Sequence, residues 1–283
     1  MFFYDLQHLF CAESAAMKAV FRKIKLLDLF VSEPNPLFFG NPRNEELNTW
    51  NNGNWLKSRF HFSFAEWTAG RGNFGCLRVV NDDLVQPARG FGKHSHADME
   101  IVTYILEGEL THQDSMGTSE NLTRGSIQFM TAGRGVEHEE HNRSKANPLR
   151  FIQTWITPRR RGLTPNYGSF SAKDTNIGDQ RQNKWCHMVG DQGSSSAKIQ
   201  INQDCNLYVA EIDAARTVSF SLSEGRQGYL ICVEGSAIVD GETLARHEAC
   251  ELIASCPGTT VAVQGVQGDE RTHCMLFEMA ISK

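Results

Sequence analysis

The stretch Gly92–Leu110, GKHSHADMEIVTYILEGEL, decides how the chain is read. Its centre, MEIVTYIL, is dense in β-branched and aromatic residues, the composition of a buried strand. Glu107 and Gly108 close that run as a turn, and a returning strand begins at Glu109. Upstream, His94 and His96 stand two apart. Side chains alternate faces along a strand, so both imidazoles point the same way. Two imidazoles on one face of a rigid strand are half of a metal site.

The other half is expected from a neighbouring strand. The stretch GVEHEEHN (Gly135–Asn142) places His138 and Glu140 two apart on a shared face. Three histidines and a carboxylate form a mixed nitrogen and oxygen set that suits Fe(II), and also Mn, Ni, Cu or Zn. Such a set leaves positions on an octahedral ion open to small molecules. Spacing alone leaves two other choices standing. Glu137, Glu139 and His141 share the opposite face and are the inward set if the register shifts by one. Glu100 is in phase with His94 and His96 and is a rival carboxylate.

Working outward, the same texture continues. RFHFSFAEW (Arg59–Trp67) alternates and sets Phe60, Phe62 and Phe64 on one side. CLRVV, SIQFMTAG and RFIQTWI read as further strands, separated by turn chemistry such as NDD, DSMG and NRSKANP. Residues 158–196 are polar and turn-rich and read as a connecting segment, with Arg159–Arg161 a solvated surface. Strands resume with GYLICVEGSAIV, TVAVQG and HCMLFEMA. ICVEGSA around Gly235 is the counterpart of YILEGEL around Gly108, so two copies of one β-barrel account for the length. The fold class is all-β, sandwich or barrel.

Composition narrows the function. With 40% hydrophobic and 22% charged residues, the 283-residue chain reads as soluble and globular with a sizeable core. A formal net charge of -5 argues against a broad nucleic-acid-binding surface. No apolar run is long enough to span a membrane. The 8 cysteines include no C-x-x-C pair, which argues against a zinc ribbon, and their scatter fits a reducing compartment. The N-terminal stretch MKAVFRKIKLLDLF from Met17 is apolar and basic, and a helix or arm packed on the body is expected. Asp5, Glu13 and Asp28 weaken a transit-peptide reading, although organelle targeting stays open. A cytoplasmic location is expected, with the nucleus as the alternative.

HSHADMEIVTYILEGELTHQDSMG followed by GSIQFMTAGRGVEHEEHN resembles the pirin family of the cupin superfamily, in its quercetinase-like branch. WLKSRFHFSFAEW, LRVVNDDLVQPARGFGKHSH and IQTWITP support the resemblance. It is strong from Asn54 to Tyr167, looser in the second half, and absent from residues 1–45. The resemblance implies a bicupin, two antiparallel β-barrels packed together. Residues 1–45 would be an extension, 46–157 the metal-binding cupin domain, 158–196 a linker and 197–283 a second cupin domain without metal. The family's ligands carry over onto His94, His96, His138 and Glu140. Glu100 is then no ligand, although the general cupin pattern uses a glutamate near it. Phe60 stands where family members often carry histidine. Aligning Gly235 with Gly108 puts Ser221 and Ser223 in the places of His94 and His96, and His247 and His273 read as structural.

The resemblance also implies an activity: cleavage of the central ring of flavonols by O2 with release of CO. One divalent metal, Fe(II) by preference, would act as Lewis acid and template. Glu140 would be both ligand and proton acceptor. The implied partners are a small aromatic substrate and O2, bound at the mouth of the first barrel, with Phe62, Phe64, Phe129 and Trp155 as candidate lining. The alternative is a metal-dependent, redox-sensing transcriptional co-regulator of the pirin type, with a protein partner and no metabolic substrate.

Overall fold

A computed structural model describes residues 19–35, 54–172, 177–193, 195, 197–269 and 271–281. The regular secondary structure of the described residues is almost entirely strand, as the alternating and β-branched texture requires. Helical structure among the described residues is confined to a 3-10 turn, Leu26–Asp28, and the short helix Ile177–Arg181. No helix among them is long and apolar enough to cross a membrane.

Each half of the chain is a seven-stranded sheet facing a four-stranded one. In the first half the large sheet runs Asn166–Phe170, Ile127–Thr131, Glu100–Glu107, Leu149–Ile156, Leu77–Val85, Leu56–Phe60 and Phe30–Ser32. The small sheet runs Gly90–His96, Val136–His141, Glu109–Asp114 and Ser119–Thr123. The second half repeats this plan, with Arg226–Glu234 in the place of Glu100–Glu107 and Thr217–Leu222 in that of Gly90–His96. The all-β reading, with one β-architecture used twice, is borne out. The domains are sandwiches of two facing sheets rather than single closed barrels. One pair departs from the antiparallel rule: Cys186–Asp191 runs parallel to Ile199–Ile201 at a sheet edge.

The repeat is visible at its turns. Gly108 and Gly235 have φ of 77° and 65°, in the left-handed region that glycine enters without cost. A Cβ at Gly108 would meet the carbonyl oxygen of Pro148, and one at Gly235 would meet that of Arg271. Both glycines therefore solve the same problem, a tight turn pressed against the backbone of an adjacent segment.

Four apolar clusters among the described residues follow from this layering, the smallest being Ile101, Met130, Ala132 and Val136 near the histidine-bearing end of the first sandwich. One fills the first sandwich, with Trp55, Ile105, Leu110, Leu122 and Phe151. A second fills the second sandwich, with Leu222, Leu230, Val261 and Leu276. The largest is the seam where the two large sheets meet, joining Phe62, Tyr104 and Leu106 to Tyr229, Ile231 and Phe277. This explains why Glu100–Glu107 is buried on both faces except at Glu107. One face lines the first sandwich and the other lines the seam.

Three local expectations give way. The segment after Met17, expected as a helix or arm, forms two short strands, Val20–Ile24 and Phe30–Ser32. Val20–Ile24 pairs with Ala249–Ile253 in the second domain, and Phe30–Ser32 pairs with Leu56–Phe60 in the first. Residues 1–18 and 36–53 lie outside the described residues. The polar stretch 158–196 supplies strands to both large sheets, Asn166–Phe170 as an edge of the first and Cys186–Asp191 beside the edge strand Ile199–Ile201 of the second. The polarity of Asn166–Phe170 reflects its half-exposed edge position. Finally, Phe60, Phe62 and Phe64 do not share a side, because the strand ends at Phe60. Phe60 and Phe64 line a cavity, while Phe62 turns into the seam against Tyr229.

Candidate metal centre

The strands Gly90–His96 and Val136–His141 are neighbours, with His138 opposite His94. Burial alternates along Val136–His141: Val136, His138 and Glu140 are buried, while Glu137 is exposed and Glu139 and His141 are intermediate. A register shift between His138 and Glu140 bulges the strand at the site itself. The nitrogens of His94, His96 and His138 lie within 4.8 Å of one another. The face that shares Glu139 and His141 looks away: those two pair with each other at 3.5 Å, and Glu137 pairs with Lys93 at 2.7 Å.

A hydrogen bond orients His94, and burial disfavours the charged forms of His96 and His138. His94 Nδ1 lies 2.8 Å from the Gly92 carbonyl oxygen, so Nδ1–H donates there and Nε2 faces the cluster. Burial pushes the His96 pKa down to about 4, and His94 adds to the effect. Burial pushes His138 lower still, helped by His94, His96 and His112. His96 Nε2 and both ring nitrogens of His138 are buried without a partner among the described residues. Buried polar atoms rarely go unsatisfied, and unpartnered imidazole nitrogens that converge suit a divalent cation.

Glu140 is 2% exposed and anchored at both oxygens, by Gln128 Nε2 at 2.8 Å and Gln153 Nε2 at 2.7 Å. Its grouping is with His138 and a residue that spacing did not single out, His112. His112 stands opposite Glu140 on the strand Glu109–Asp114. Its Nε2 is 3.2 Å from Asp114 Oδ2, its ring stacks on Tyr167, and its Nδ1 is buried without a partner among the described residues. The signal was present in the sequence: THQD follows the Glu-Gly turn, so its strand returns into the same small sheet. Glu100 is elsewhere. Its oxygens accept from Thr131 Oγ1 at 2.8 Å and Asn202 Nδ2 at 3.0 Å, which ties the first domain to the second.

A cavity of about 490 Å³ opens onto His94, His96 and Glu140. That is within the size range of small-molecule sites, about 300–1,000 Å³. Phe60, Phe64, Phe91 and Trp155 give it aromatic walls. Trp155 meets the His96 ring edge-on at 4.8 Å and Phe64 at 5.1 Å. Of the four aromatics expected here, Phe64 and Trp155 line the cavity. Phe62 and Phe129 belong to the seam core instead.

Two adjacent aspartates show how the strand Leu77–Val85 serves both of its faces. Asp82 points into the seam, where Arg150 overcomes the cost of burial and holds the carboxyl well below its usual range. Asp83 lines the cavity, where burial pushes its pKa up to about 8, with Asp82 and Glu140 pressing the same way. Folding therefore takes up a proton at Asp83 between the ordinary value of 3.8 and about 8. Stability contributed at this position falls as pH rises through that window. Asp83→Asn should raise the stability of the metal-free protein at pH 8, by no more than about 5 kcal/mol, and the gain should vanish near pH 4. Urea melts at the two pH values check this; an equal effect at both would show Asp83 ionised in the native state.

Residues 43–156 match the family profile described as Pirin, and residues 189–279 match that of the quercetinase C-terminal cupin domain. The chain is 36% identical to the quercetin 2,3-dioxygenase of Escherichia coli (strain K12) over 191 residues, 67% of this chain and 79% of that one. It is 37% identical to a pirin-like protein of Caulobacter vibrioides over 214 residues, 75% of this chain and 90% of that one. The crystal structure of the bacterial pirin YhhW from Escherichia coli in complex with nickel(II) superposes with a TM-score of 0.75 at 25% identity, covering 93% of this chain and all of that one. With a sandwich pair of cupin type, histidines gathered on the small sheet of the first domain, and these matches across both halves, the chain belongs to the pirin family, in its quercetinase-like branch.

Proposed function

We propose that the protein is a metal-dependent dioxygenase of quercetinase type, with His94, His96, His138 and Glu140 as the ligands of one divalent ion. The substrate class is an enolisable, flavonol-like aromatic. The observation that carries the proposal is the convergence of His94, His96 and His138, two of them with unpartnered ring nitrogens, at an aromatic-walled cavity. The likeness to an enzyme of that activity in Escherichia coli supports it.

A bound Fe(II), Mn, Ni, Cu or Zn ion would supply Lewis acidity and a template for substrate and O2. The chain's own residues do the rest. Glu140, fixed by the Gln128 and Gln153 amides, accepts the proton of the substrate hydroxyl on a carboxylate oxygen. Trp155, Phe60 and Phe64 hold the ring plane and keep water from it. Asp83, protonated at neutral pH, offers a hydrogen-bond donor from the wall. Anaerobic loading with Fe(II), then exposure to a flavonol and O2, should release CO and consume the flavonol. Chelator-stripped protein should do neither, and equal turnover by stripped protein would overturn the proposal.

A further inference from the structure

Ring contacts run from His96 through Trp155, Phe64 and Phe60 to Phe30, so the cavity wall extends away from the histidines toward the strand Phe30–Ser32. Most of the lining residues lie within 43–156, the span matched by the family profile. Ser32, Pro34 and Asn35 also line the cavity, and they precede that span. They are held there firmly. Phe30–Ser32 is hydrogen-bonded to Leu56–Phe60 as the edge strand of the large sheet. The Phe30 ring stacks on Trp67 at 5.7 Å with an interplanar angle of 8°. Trp55 Nε1 donates to the Pro34 carbonyl at 3.2 Å, and Asn54 Nδ2 donates to Glu33 at 2.7 Å. The rim is therefore a built wall, ordered by the sheet on one side and by the 64–67 turn on the other.

Its chemistry is specific. The Ser32 hydroxyl donates to Glu66 Oε1, and Glu66 itself borders the cavity. Among the described residues Glu66 Oε2 has no hydrogen-bond partner. A carboxylate accepts hydrogen bonds and donates none. At the end of an aromatic-walled cavity it favours a hydroxyl on the outer ring of the substrate and disfavours an anionic group there. An ammonium group would gain little, because its screened attraction is offset by the cost of stripping its water, a cost that instead adds to the repulsion for a carboxylate.

We infer that Ser32 and Glu66, with the wall Ser32–Asn35, determine specificity by selecting aromatic substrates whose ring remote from the histidines carries hydroxyl groups. The inference rests on the proposed oxygenase reading for the orientation of the substrate. It is tested by equilibrium binding to nickel(II)-loaded protein, which needs no turnover. The probes are flavonols with an unsubstituted, a 3′,4′-dihydroxylated, a 4′-carboxylated or a 4′-aminomethyl outer ring. The wild type should bind the dihydroxylated compound about tenfold tighter than the unsubstituted one, the scale of a hydrogen bond to a charged group. The aminomethyl compound should resemble the unsubstituted one, and the carboxylated compound should bind weakest. Glu66→Gln should bring the carboxylated compound close to the unsubstituted one, and Ser32→Ala should shift the series the same way by less. Equal nickel content and equal thermal midpoints show that the variants are folded. An order unchanged in Glu66→Gln, tightest binding of the carboxylated or aminomethyl compound, or no binding of any flavonol overturns the inference. Protein that binds the series in the expected order yet consumes no O2 contradicts the oxygenase reading alone.

Discussion

His138→Ala and Glu140→Ala are each expected to abolish tight metal binding, whereas Glu139→Ala and His141→Ala should leave it within a few-fold of wild type. The reason is strand parity made concrete. His138 and Glu140 are both 2% exposed on the inner face of Val136–His141, and Glu139 and His141 pair with each other on the outer face. Loss of an inner ligand should exceed the roughly 10–100-fold loss typical of changing a residue that only supports one. Glu100→Gln is the control for the general cupin pattern. It should keep the metal, because Glu100 is engaged by Thr131 and Asn202 at the domain junction. Isothermal titration with nickel(II) checks all five variants. Metal loss in Glu100→Gln with retention in Glu140→Ala would transfer the carboxylate role to Glu100.

The second large effect is structural. Arg150→Met should destabilise the fold by roughly 3–5 kcal/mol, the cost of stranding a buried charge. Arg150 grips Asp82 through two hydrogen bonds, 2.8 and 2.7 Å, and donates across the seam to the Val233 carbonyl at 2.8 Å. His247 of the second domain reaches the same carboxylate, with Nδ1 2.5 Å from Asp82 Oδ2. Asp82 is 1% exposed, so removal of Arg150 leaves its charge without solvent. The double variant Asp82→Asn/Arg150→Met should recover much of the loss, because it removes both charges. The Asp82 pKa is depressed in the native state, so this network's contribution is present above the unfolded value of 3.8 and is lost as pH falls below it. Denaturant melts of the single and double variants separate this account from simple loss of packing.

The domain plan was legible because its determinants are local. β-branched runs between glycine turns specify strands, and the Glu-Gly turns at Gly108 and Gly235 betray the repeat. His94 and His96 were legible as a pair for the same reason, since alternation is a property of one strand. The choice between Glu140 and Glu139 was not, because it depends on which way a whole strand is turned and on a bulge between His138 and Glu140. His112 was missed because its relevance comes from pairing with Glu140 on another strand. The strands Val20–Ile24 and Phe30–Ser32 were missed because edge strands are short, half-exposed and stabilised by partners more than 20 residues away in sequence. His247 and His273 do the structural work that their isolated positions imply: His247 on Asp82, and His273 between Glu234 at 2.9 Å and the Tyr104 hydroxyl at 3.2 Å.

The central claim is that one metal in the first domain makes this protein an oxygenase. Oxygen uptake with a flavonol, measured as Fe(II) is titrated anaerobically into chelator-stripped protein before O2 is admitted, tests it most directly. The account predicts uptake that rises linearly, saturates at one equivalent of metal per chain, and consumes one O2 per flavonol. Tight binding of one metal with no uptake above the protein-free rate, or uptake that saturates at two equivalents, would contradict it.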